Sequence, residues 1–185
     1  GLDFIRTAYP ELTAVTPRDN CHAGGGWHWQ GLNVQALWPL PDSKKDWSEN
    51  DGSCVIKISD GRFSMLLPGD IEQKAEQVLL SLPEVSQGLT SNIILAPHHG
   101  SKTSSSIAFI EQVKPQFVVF SQGWLNRWGF PHQQVAERYR NVGSQTLLVS
   151  ENGYLRFDIN GDGISTYAYR ESPHSRWYHK TFVKQ

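Results

Sequence analysis

The chain predicts a layered α/β fold. Short apolar runs of strand length recur along it, a hairpin signal stands at Asp60-Gly61, and in the second half strand-like runs alternate with amphipathic helical ones. Its 185 residues, 38% apolar and 11% aromatic, suffice for one domain with a real core and are too few for two. It contains no internal repeat and no low-complexity tract.

In chain order, residues 2–9 carry helical spacing at Leu2, Ile5 and Arg6 and stop before Pro10. Residues 19–31, with Gly24-Gly25-Gly26, predict a loop flowing into short aromatic strands around Trp27-His28-Trp29. Residues 32–37 alternate in part and predict a strand, and the polar, Pro-containing residues 39–52 a surface excursion. Residues 53–59 and 62–67 predict a hairpin about Asp60-Gly61. A helix is expected after Asp70, with Ile71, Ala75, Val78, Leu79 and Leu82 on its apolar face, Glu72, Lys74 and Glu76 opposite, and Pro83 closing it. Residues 92–96 and 116–120 predict buried strands with a helix over 105–113 between them. Pro131 marks a helix start that runs to Asn141. Residues 145–149 and 154–159 are expected as strands around the Asn152-Gly153 turn. The aromatic and basic Arg176-Trp177-Tyr178-His179 sets a tail, residues 171–185, apart from a domain over 1–170.

A net charge of −1, from 17 basic and 18 acidic residues, excludes a protein that grips nucleic acid mainly by neutralising phosphates. Contact with DNA must then come from a local patch, a metal site or another part of a longer chain. No apolar run approaches the roughly eighteen residues of a membrane span, and no signal peptide is expected. The opening Gly1-Leu2-Asp3-Phe4-Ile5 reads as the middle of a helix entry, as in an excised piece. Cys21 and Cys54 cannot build a zinc site by themselves, and on spacing alone two buried thiols are favoured over a disulfide.

Three places put reactive side chains at strand ends. In Leu66-Leu67-Pro68-Gly69-Asp70, taken alone, Asp70 is best read as the cap of the following helix, with a metal-bridging carboxylate as the rarer alternative. In Leu95-Ala96-Pro97-His98-His99-Gly100-Ser101, adjacent imidazoles diverge, so a single metal ion would take one of them and leave the other for substrate or a second ion, with a purely structural histidine pair as the alternative. The third place is residues 121–132. There Asn126, Arg127 and His132 can face an anion at a helix start, against a plainer loop packed on Trp124 and Trp128.

These segments resemble the ComEC family of competence proteins. The matching pieces are Trp27-His28-Trp29-Gln30-Gly31, Asn50-Asp51-Gly52-Ser53-Cys54-Val55, Leu67-Pro68-Gly69-Asp70, residues 97–106 (Pro-His-His-Gly-Ser-Lys-Thr-Ser-Ser-Ser) and residues 126–132; they arrive in family order across most of the chain. The resemblance implies a metallo-β-lactamase-like layered sheet with flanking helices, truncated in its N-terminal half. It also implies a parent that takes up transforming DNA through an inner-membrane channel, with this domain outside the lipid on the periplasmic side. Asp70 and His99 then match metal ligands, His98 a substrate or neighbouring group, and Asn126 and His132 the later loop that closes over the site; His98 or Lys102 is expected to neutralise charge in the transition state, and Ser101, Asn126 and His132 to contact substrate. That location motivates a Cys21–Cys54 disulfide as a further hypothesis.

The family's early His-x-Asp-x-Asp-His type of signature is absent, and its Gly-His-Pro-His reads Gly129-Phe130-Pro131-His132 here. The intact parent is expected to hold a dinuclear zinc or manganese centre and to hydrolyse DNA, single strands foremost. The chain keeps about two donors against the three or more a hydrolytic ion needs. It is therefore expected to be inactive, largely metal-free, and prone to dimerise through the apolar edge that absent strands leave open. The rival reading is a non-catalytic module that steers DNA or docks the channel. The partners implied are DNA and the channel portion of the parent.

Overall fold

A computed structural model describes residues 21–41, 43, 47–161, 163–176 and 178. The helix expected over residues 2–9 lies outside them, as do Trp177 and His179 of the tail.

Seven strands form one mixed sheet in strict sequence order: β1 (Gly26–Trp29), β2 (Leu32–Trp38), β3 (Val55–Ser59), β4 (Ser64–Leu67), β5 (Ile93–Leu95), β6 (Phe117–Phe120) and β7 (Gln145–Leu148). The first four pair antiparallel, β1–β2 and β3–β4 through short turns and β2–β3 through the longer connection over residues 39–54, and β4 to β7 run parallel. Parallel neighbours need crossovers. Helices α1 (Gln73–Ser81), α2 (Pro83–Gly88), α3 (Ile107–Val113) and α4 (Gln133–Asn141) supply them, and the short α5 (Val149–Asn152) follows β7. The hairpin β8 (Leu155–Asn160) and β9 (Gly163–Ala168) is a second, two-stranded sheet.

Layering follows from the period of the strands. In β6, Val118 and Phe120 point into a core with Trp38, Leu66, Ile71, Leu79, Phe109 and Tyr139 on the helical side. Phe117 and Val119 point the other way, to a second cluster with Ile93 and Leu147 on which Leu155, Phe157 and Ile164 pack from the hairpin. A strand covered on both faces reads as a continuous apolar run, which is why Phe-Val-Val-Phe shows no alternation.

Four local expectations are corrected. Glu76, assigned to the polar face of its helix, is fully buried, because it meets two backbone amides of another loop. Pro83 does not merely close α1; it occupies the first turn of α2, where its missing N–H costs nothing. The helix expected from Pro131 begins at Gln133, with His132 at its cap position. Residues 145–149 and 154–159 are not a pair about Asn152-Gly153: β7 adds to β6, and β8 turns back onto β9, a strand without a clear apolar signal.

At Asp60-Gly61 the β3–β4 turn is closed by the Asp60 carboxylate, which accepts from the amides of Arg62 (2.8 Å) and Phe63 (2.7 Å). Cys21 and Cys54 are joined as a disulfide, their Cα atoms 5.9 Å apart, tying the segment before β1 to the start of β3. None of the helices among the described residues is long and apolar enough to cross a membrane.

Candidate functional site

Because β4, β5 and β6 are parallel neighbours, their carboxyl ends open side by side, and crevices beyond such ends are where open α/β sheets bind ligands. Asp70 follows β4, His98 and His99 follow β5, and Ser121, Gln122 and Gly123 follow β6; all six line one cleft of about 530 Å³ with Asn126, Trp128 and Phe130.

Asp70 is not the helix cap that its local sequence favours. The cap position belongs to Glu72, and the capping carboxylate is Asp51, whose Oδ1 accepts from the amides of Glu72 (2.8 Å) and Ala75 (3.3 Å). With its helix already capped, Asp70 is left to face the cleft. Gly69, at φ +61, makes the turn, and a Cβ there would lie 2.8 Å from the Ser53 Cβ. The Ser53 hydroxyl accepts from the Asp70 amide at 3.2 Å. The Asn50-Asp51-Gly52-Ser53 motif thus sets the carboxylate's position without touching the cleft.

His98 and His99 both adopt left-handed backbone conformations, φ 46 and φ 55. Such a conformation costs a non-glycine residue about 1–2 kcal/mol, so the surrounding structure must hold it. The His98 amide donates to the Gly69 carbonyl (3.1 Å), the Ser101 amide to the His98 carbonyl (2.9 Å), and the His132 amide to the Gly100 carbonyl (3.0 Å). Behind them the serine run is a clamp. Glu76 accepts from the amides of Ser105 (2.5 Å) and Ser106 (2.8 Å). Arg138 donates to the carbonyls of Ser104 and Ser105, and the Ser104 hydroxyl donates to that of Pro97 at 2.8 Å. Burial raises the Glu76 carboxyl above the ordinary range, against the opposing pull of the Ser106 and Ser105 hydrogen bonds and the Arg138 charge. It likewise pushes the Tyr139 phenol up.

The result is a convergence: His99 Nε2 stands 3.6 Å from Asp70 Oδ1. Two donors bound to one zinc ion at about 2.0–2.2 Å lie roughly 2.8–3.6 Å apart for octahedral to tetrahedral angles, so this pair, at the upper end of that range, fits a shared ion in tetrahedral geometry. His98 is held differently. Its Nδ1 is 3.1 Å from Glu72 Oε1, which also accepts from Thr103 Oγ1 (2.7 Å) and Asn50 Nδ2 (3.3 Å). With a carboxylate oxygen as acceptor, Nδ1 is the donor of this contact and Nε2 is the ring nitrogen left outside it. Among the described residues no three His, Cys, Asp or Glu side chains gather as a metal-binding group.

The remaining candidates fall outside this point. Ser101 is buried and shares a 3.0 Å hydrogen bond with the Thr103 hydroxyl, Lys102 is exposed on the loop, and neither lines the cleft. Asn126 lines it, but its side chain is spent on the loop: Oδ1 accepts from the Phe130 amide (2.8 Å), and Nδ2 donates to the carbonyls of Phe130 (2.7 Å) and Gly123 (3.2 Å). His132 sits edge-on to Phe130, centroids 5.5 Å apart. Asp51, Glu72 and Glu76 were not legible as site residues, because their partners lie 21 to 31 positions away.

No protein-family model matches the chain. It is 36% identical over 187 residues to the uncharacterized protein YcaI of Escherichia coli K12, covering 98% of this chain and 24% of that protein. It is 35% identical to Recombination protein 2 of Haemophilus influenzae over 96% of this chain and 23% of the relative. To Competence protein ComA of Neisseria gonorrhoeae it is 32% identical, over 75% of this chain and 19% of the relative. The chain thus spans about a quarter or less of the length of these relatives.

Proposed function

Since this chain belongs, over the portion it spans, to the ComEC family of competence proteins, we propose that it is the DNA-handling domain of a longer uptake protein, built as part of a metallo-β-lactamase-like hydrolase. The observation that carries this reading is the 3.6 Å approach of Asp70 Oδ1 and His99 Nε2 at the ends of neighbouring parallel strands.

In this reading Asp70 and His99 are two donors of a zinc or manganese site whose other donors come from outside the described residues. Such an ion, when bound, supplies activated water and Lewis acidity toward a phosphodiester. The chain's own residues do the rest. The left-handed turn aims both imidazoles into the cleft, Glu72 fixes the His98 ring so that Nε2 is the proton-accepting atom, and Asp51 with Ser53 hold the Asp70 turn against α1. Lys102, exposed on the same loop, is kept as a charge neutraliser that reaches DNA from the rim.

Metal-dependent cleavage of single-stranded DNA by the longer protein tests this. Asp70→Ala is expected to lower the rate by at least about 100-fold; a variant that cuts as fast as wild type removes Asp70 from the mechanism. A non-catalytic steering module is the second reading. It is favoured by the lack of a third donor among the described residues and by Phe130, which packs against both imidazoles. Tight DNA binding by the longer protein without cleavage, with either metal, decides for it.

Beyond DNA, the partners in this reading are the channel portion of the same parent chain and a second copy. An apolar groove of about 380 Å³ between the β8–β9 hairpin and Ile58, Phe63 and Met65 offers a surface for such a copy. A monomer at every concentration in analytical ultracentrifugation removes the second copy. The disulfide supports a periplasmic location, since such bonds persist in oxidising compartments.

A further inference from the structure

Resting on the nucleic-acid reading above, we propose that Phe130 and Trp128 form a stacking shelf that holds an unpaired nucleobase of a DNA strand beside the Asp70–His99 point. Both rings line the same cleft as that pair. Phe130 lies near-parallel to the His99 imidazole, 27° between planes and 6.5 Å between centroids. Trp128 continues the file at 15° and 6.3 Å. Phe130 is only half-buried, so ring surface remains for a planar guest. Trp128 is 58% exposed, an unusual placement for the largest apolar side chain.

Charge and rigidity agree with this occupant. The Arg127 guanidinium carbon stands 4.3 Å from the Trp128 ring centroid, so the file ends in a cation where a strand's phosphate would pass. With a net charge of −1 the chain has no overall basic excess to drive affinity by counterion release, so a stacking contribution carries more weight. The shelf is set in advance: Asn126 bonds the Phe130 amide and carbonyl, and His132 props the ring from its edge. Bases inside a duplex have both faces covered by their neighbours, so the shelf selects unpaired ones.

The test is fluorescence anisotropy of labelled oligothymidine, of an abasic phosphodeoxyribose strand of equal length, and of a duplex, each titrated with the longer protein that carries this domain. The expected result is a preference for oligothymidine over the abasic strand of roughly 5- to 150-fold, and no better binding of the duplex. Trp128→Ala erases that preference and Trp128→Phe keeps most of it. Trp29→Ala, removing a comparably exposed ring (59%) on the β1 edge strand, leaves it intact. Equal binding of abasic and thymidine strands, wild-type behaviour of Trp128→Ala, or an equal loss in Trp29→Ala overturns the shelf and leaves the nucleic-acid reading standing. No binding of any of the three probes defeats both. Binding instead to phosphatidylglycerol vesicles, lost with Trp128→Ala, overturns the shelf in favour of a membrane-facing belt.

Discussion

At Glu76, burial and hydrogen bonding pull in opposite directions. Burial alone disfavours the charge, while the Ser106 and Ser105 amides and Arg138 favour it, and burial prevails. Its pKa in the folded chain therefore lies above the ordinary 4.5. Between those two values the folded chain retains a proton that the unfolded chain has released. The stability Glu76 contributes accordingly falls as pH rises through that window and is level on either side of it. Urea melts over about pH 4 to 8 should show Glu76→Gln gaining on wild type across the window; parallel curves would contradict the buried, proton-retaining carboxyl. Glu76→Ala leaves two interior amides without an acceptor and is expected to cost about 3 kcal/mol or more. The same residue shows what pattern alone cannot give. A helical wheel places Glu76 with Glu72 and Lys74 on the wet face, and only the arrival of Ser105 and Ser106 from 29 and 30 positions on turns it inward.

Elements are fastened here by side chains that belong to other elements. α1 begins on Asp51, a residue of the connection between β2 and β3 that also receives the Trp38 indole N–H on its carbonyl at 2.6 Å. Asp51→Ala removes the acceptor of two helix-start amides and is expected to lower stability by about 1–2 kcal/mol in chemical denaturation. No loss there would return the capping role to Asp70. The loop between β5 and α3 has a second fastening at Gly100, where φ is +86 and a Cβ would meet the Pro131 Cβ at 2.7 Å and the Phe120 ring at 2.9 Å. Gly100→Ala is expected to cost at least about 1–3 kcal/mol and to broaden the ring resonances of His98 and His99; sharp, unshifted signals in a stable variant would show that the loop tolerates a side chain. The strands and most helices were legible because short apolar runs bounded by Gly, Pro and Asp leave few alternatives. The β8–β9 hairpin was only half legible, since the polar alternation of β9 gains meaning only from packing on Phe117 and Leu147.

For the whole molecule, the disulfide spans 33 positions and joins the outer antiparallel strands to the start of β3. Closing a loop of that length is worth about 3–4 kcal/mol through the unfolded chain. Reductant should therefore lower the urea midpoint of the wild type and leave a Cys21→Ser/Cys54→Ser double variant unmoved. Two free thiols per unreduced, unfolded chain would refute the bond. Strand order along the chain equals strand order in the sheet, which keeps every connection between neighbours and brings the ends of β4, β5 and β6 to one rim.

By itself the sequence determined most of the strands and helices, and that a Gly-Asp and a His-His-Gly each follow a buried run, because turn chemistry and apolar periodicity are local. Only the tertiary structure decided that Asp70 is free of capping, that His99 meets it while His98 is held by Glu72, and that Ser101, Lys102 and His132 stay outside the cleft. The reason is distance along the chain. Each of those outcomes rests on a hydrogen bond or a strand pairing between residues that share no periodicity, and such partners exist only once the sheet has placed them side by side.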